Sequence, residues 1–73
     1  MKAEYRVVCE RLFCRELGSY DSFGIYAAAV DGRCAYIPDI ATQEHPVRTL
    51  ADMLNQMEVS IQHFMDVVLD HLD

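Results

Sequence analysis

Apolar and polar positions change period along this chain. They run close to alternation in the first half and at three-and-four spacing in the second. EYRVVCERLFCREL, residues 4–17, is rich in Val, Tyr, Phe and Cys and predicts a first strand. One of its faces carries Tyr5, Val7, Cys9, Arg11 and Phe13, and the other carries Arg6, Val8, Glu10, Leu12 and Cys14. A helix would also align Val8, Leu12 and Arg15, but the β-branched and aromatic content favours a strand.

GSYDS at 18–22 has turn composition, and a second strand follows over 22–30. Here Phe23, Ile25, Ala27 and Ala29 point one way, while Tyr26, Ala28 and Val30 point the other. Asp31-Gly32 predicts a two-residue type I′ hairpin into a third strand at 33–37, which Pro38 ends because it has no N–H for a ladder.

The period then lengthens. Val47, Leu50, Ala51, Leu54 and Met57 form one stripe and predict a helix over 46–57, with Thr42 or His45 as cap and Pro46 in its first position. Ile61, Phe64, Met65, Val68, Leu69 and Leu72 predict a second helix over 61–72, capped by Ser60 and stapled by Val59 against Phe64. The expected architecture is α+β, one domain over 1–73: a three-stranded antiparallel meander and two helices on one sheet face, βββαα.

Length and charge narrow the function. A 73-residue chain buries only about 60% of the surface its unfolded form exposes, so partners or cross-links often assist. Three cysteines without a CxxC pair make a poor disulfide or zinc framework. MKAEY opens no signal peptide, and FGIYAAAV at 23–30 falls short of the ~20 apolar residues of a membrane span. The expectation is a cytoplasmic protein with no membrane contact, in which Cys9, Cys14 and Cys34 serve as small core hydrophobes.

The net charge of −6 sits almost wholly after residue 40, where only Arg48 opposes Glu44, Asp52, Glu58, Asp66, Asp70 and Asp73. That balance argues against binding nucleic acid and allows a protein partner with a basic surface.

SIQHFMDVVLDHLD at 60–73 holds the densest set of polar candidates. On a helical wheel His63, Asp66 and Asp70 form one file opposite the apolar stripe, with Val67 inside the polar arc. His63 and Asp70 lie about 10 Å apart along the axis, too far to share one ion held at ~2.0–2.2 Å. The file therefore reads as solvated surface or as a contact face of His63, Asp66, Val67 and Asp70. No catalytic motif, cofactor loop or metal-ligand set is present. Because two helices cover one sheet face only, the other would expose Tyr26, Ala28 and Val30, and a homodimer through that face or through an open sheet edge is expected.

Read together, GSYDSFGI at 18–25, IPDIA at 37–41 and LADMLNQMEVSIQHFMDVVLDHLD at 50–73 resemble a family of small bacterial proteins, domain of unknown function 6514. Its pattern is met by Gly18, Tyr20, Ser22, Phe23, Gly24 and Ile25, by Asp39, Ile40 and Ala41, and by His63, Phe64, Asp66, Val67, Val68, Asp70, His71 and Leu72. The family pattern has Phe where His71 stands and often Ser where Ala41 stands. The resemblance implies a shape and no activity. The expected function is a non-enzymatic interaction or regulatory module. The alternatives are a small-ligand or metal-ion sensor using His63, Asp66 and Asp70, or an enzyme subunit completed by another chain.

Overall fold

A computed structural model describes residues 3–72. Strands β1 (Ala3–Cys14), β2 (Gly18–Ala29) and β3 (Cys34–Ala41) precede helix α1 (Glu44–Gln56) and a 3₁₀ turn (Ile61–His63), which runs into helix α2 (Phe64–Leu72). The strands form one antiparallel sheet in the order β1-β2-β3, so β2 is central and both neighbours are edges. The expected βββαα order is observed.

Alternation decides the core. Tyr5 opposes Ala27 and Val7 opposes Ile25, while Ile25 and Ala27 meet Ile37 and Ala35 on the other side. These side chains share the face that packs with Val47, Leu50, Ala51 and Leu54 of α1 and with Phe64 and Val68 of α2. The α1 stripe is the predicted one, apart from Met57, which is exposed at the helix end.

Several boundaries differ, each for a physical reason. GSYDS is strand rather than turn. Cys14 pairs with Gly18, and Arg11 opposite Asp21 adds a cross-strand ion pair at 2.9 Å, so pairing overrides local turn propensity and the turn occupies residues 15–17. The Asp31-Gly32 connection is not a type I′ turn, because Asp31 is absent from the positive-φ residues and only Gly32 (φ 93°) takes that conformation. Instead Gly32 N–H donates to Ala29 C=O at 3.1 Å and Ala29 N–H donates to Arg33 C=O at 2.8 Å, closing a longer loop on a left-handed glycine.

Strand β3 does not stop at Pro38. It continues to Ala41 as an edge strand, where the missing N–H is tolerated at an irregularity of the ladder. Helix α1 starts two residues early, with Gln43 as an N-cap that makes no side-chain cap bond, and this leaves Pro46 third in the helix. The position still lies within the first turn, whose N–H groups lack intrahelical partners. Ser60 precedes the 3₁₀ turn and caps by backbone alone, its carbonyl accepting from His63 N–H at 2.9 Å.

The cysteines do not fill the core. Cys9 and Cys34 are exposed, Cys14 is half-buried, and all three are free thiols. Cys9 lies on the helix-side face four residues beyond Tyr5, the last fully buried position on β1, and Cys34 lies on the helix-free face.

Candidate functional site

The two strand motifs meet at one irregularity. Phe23 pairs with Ala41 and Ile25 with Ile37, so the single residue Gly24 faces Pro38, Asp39 and Ile40. This bulge presses β3 onto Gly24, where a Cβ would stand 2.4 Å from the Ile37 carbonyl oxygen and 2.8 Å from Pro38 Cα. Asp39 adopts φ 56°, in the left-handed region that short Asp side chains tolerate. Its Oδ1 accepts a 2.5 Å hydrogen bond from Ser22 Oγ, and Ser22 is the buried polar residue of the described chain. Asp39 thus satisfies the buried hydroxyl of the GSYDSFGI segment. The signal in the sequence was the Pro-Asp pair at the end of a strand, which marks a turn-like backbone.

With GSYDSFGI and IPDIA joined in this way, a model of the family of unknown function DUF6514 matches residues 1–73. The chain belongs to DUF6514. No curated protein and no solved structure matches it.

In this DUF6514 chain the polar file of α2 is only partly as expected. His63, Asp66 and Asp70 are exposed, with His63 in the 3₁₀ turn rather than in α2. Val67 is not on that surface, because it is half-buried against the core. Helix α2 is rolled by about 60° from the orientation that its apolar stripe predicts, at ~100° per residue. The roll brings Val67 inward beside Phe64 and Val68 and leaves Met65, Leu69 and Leu72 exposed at 51%, 54% and 54%. Its apolar arc is wider than the surface available to cover it. Among the described residues no group of three His, Cys, Asp or Glu side chains is placed to hold a metal ion.

The helix-free sheet face carries a further exposed apolar surface. Register places Arg6, Tyr26 and Tyr36 in one row, Leu12 beside Tyr20, and Ala28 beside Cys34. Tyr26 and Tyr36 are 38% and 39% exposed, and Ala28 is also exposed. Val30 does not belong to this face; it lies in the turn after β2 and is 80% exposed.

Charges on the face are partnered within it. Glu4 pairs with Arg6 at 3.2 Å, and the Tyr36 hydroxyl donates to the Glu10 carboxylate. That hydrogen bond, with burial and the carboxylate's charge behind it, pushes the Tyr36 phenol up to about 12. The hydrogen bond with Cys34 is the main cause that raises the Tyr26 phenol, with the thiol's charge and burial adding to it.

An open groove of about 600 Å³ runs along Ala3, Glu4, Ala28, Ala29, Val30 and Asn55. Its polar lining is Glu4 and Asn55, and the Asn55 amide is already committed to the backbone of Tyr5. No convergent set of polar groups lines it. Asn55 itself was not singled out by the sequence, although it borders the α1 stripe next to Ala51 and Leu54.

Proposed function

We propose that this chain is a non-enzymatic interaction module of the cytoplasm that works as a homodimer, two copies meeting through their helix-free sheet faces. The observation that carries this reading is the row of Tyr26 and Tyr36 with Ala28 beside it, an exposed aromatic and small-residue surface whose charges are already partnered. Sheets stack about 10 Å apart, and alanines leave room for tyrosines from a facing copy. A two-fold arrangement uses the same patch twice and closes without further growth. Among the described residues no helix is long and apolar enough to cross a membrane, which is compatible with this setting.

Sedimentation equilibrium across low to high micromolar concentrations tests it. The expected result is a two-chain mass that Tyr26→Lys combined with Tyr36→Lys reduces to one chain with an unchanged circular dichroism spectrum. Maleimide labelling of Cys34, on this face, should slow as dimer accumulates, while Cys9 on the opposite face keeps its rate. A one-chain mass at every concentration overturns the reading.

A further inference from the structure

Helix α2 presents a second unpartnered surface. Met65, Leu69 and Leu72 are each more than half exposed at i, i+4 and i+7, and they border the buried arc of Phe64 and Val68. Across the stripe, Asp66 and Asp70 form a like-charged i, i+4 pair. No Lys or Arg follows Arg48 anywhere in the chain, so the helix carries no strong cation to neutralise them.

We propose that this stripe docks a basic amphipathic helix of another protein, its apolar side on Met65, Leu69 and Leu72 and its Lys or Arg side chains against Asp66 and Asp70. Charge selects that occupant. A second copy of α2 would bring Asp66 and Asp70 against acids of its own kind, and an anionic membrane would meet the same repulsion. A helix laid on an exposed apolar stripe gains contact at i, i+3, i+4 and i+7 positions, and flexible Met and Leu side chains adapt to it. The contact spans about two turns and is correspondingly weak and reversible. It lies on α2 rather than on the helix-free sheet face, so it stands apart from how two copies associate.

The probe is a synthetic amphipathic helix of Leu and Lys, compared with a scrambled peptide of the same composition, with affinity read by fluorescence anisotropy at low and moderate salt. The amphipathic peptide should bind at least tenfold more tightly than the scrambled one. Leu69→Glu and, independently, Leu72→Glu should each abolish that preference while leaving the circular dichroism spectrum intact, since both side chains are exposed. Asp66→Asn with Asp70→Asn should weaken binding severalfold and flatten its salt dependence, whereas Glu16→Gln in the β1–β2 turn should not.

Equal binding of the scrambled peptide, or no effect of either Leu variant, would overturn the proposal. So would Leu69→Glu reducing a sedimenting dimer to one chain, or abolishing attachment to anionic vesicles, because either outcome assigns the stripe to a different occupant.

Discussion

The side-chain amide of Asn55 pairs with both backbone polar groups of Tyr5. Tyr5 N–H donates to Asn55 Oδ1 at 2.9 Å, and Asn55 Nδ2 donates to the Tyr5 carbonyl at 3.0 Å. Tyr5 lies on an edge strand, so the amide stands where the next strand would be and ties the end of α1 to β1. The Tyr5 ring is clamped as well. Its hydroxyl donates to the Val59 carbonyl at 2.5 Å, and its ring lies 5.0 Å from that of Phe64 at 59°. Asn55→Ala should therefore cost about 1–3 kcal/mol in urea denaturation. Asn55→Asp keeps the acceptor and loses the donor, and it should fall between wild type and Ala.

The bulge makes a harsher demand. Gly24→Ala drives a methyl group into backbone at Ile37 and Pro38, where no flexible side-chain tip can yield. A loss of about 3 kcal/mol or more is expected, read as a fall in denaturation midpoint. Ser22→Ala removes the donor that Asp39 uses and should cost about 1.5–3 kcal/mol, the range for hydrogen bonds to charged groups. If Ser22→Ala and Asp39→Asn each destabilise and their double variant adds little further, the two side chains act as one unit.

The Tyr36 phenol should titrate well above the ordinary range. Its pKa of about 12 lies above the ordinary value of 10.0, so the folded state holds the proton more tightly than the unfolded chain does. The associated stabilisation is full below about pH 10 and is lost as pH rises towards about 12. Ultraviolet difference titration should show this late phenol vanish in Tyr36→Phe. In Glu10→Gln it should shift down towards the ordinary range, because the Glu10 hydrogen bond is the largest cause.

Glu58 occupies a position that suits glycine. After α1, Val59 N–H donates to Leu54 C=O at 3.1 Å and Glu58 N–H donates to Asn55 C=O at 3.2 Å, the Schellman pattern, with Glu58 at φ 51°. Glu58→Gly should exceed Glu58→Ala in stability by about 1 kcal/mol, a comparison in which the glutamate side chain is absent from both variants. Equal midpoints in thermal melts would show that the left-handed backbone carries no strain.

Local pattern made much of this molecule legible. Alternation sorted the two faces of β2 into Phe23, Ile25, Ala27 and Ala29 against Tyr26 and Ala28, and helical spacing from Val47 to Leu54 identified the core side of α1, but both faces of β2 are apolar and only packing decided which one the helices cover. Both signals are periodic and local, so they survive without knowledge of neighbours. The bulge was not legible. Nothing adjacent to Gly24 announces that three residues of another strand will oppose it, and Ser22 and Asp39 are joined only once β2 and β3 pair.

What the sequence determined by itself is therefore the order of elements, the division of β2 into two faces and the apolar side of α1, because those depend on the period of side chains along one segment. Tertiary structure decided the roll of α2, the inward turn of Val67 and the outward turn of Met65, Leu69 and Leu72. The apolar arc of that helix is wider than one contact can cover, and only the space left by the sheet and α1 selects which part is buried.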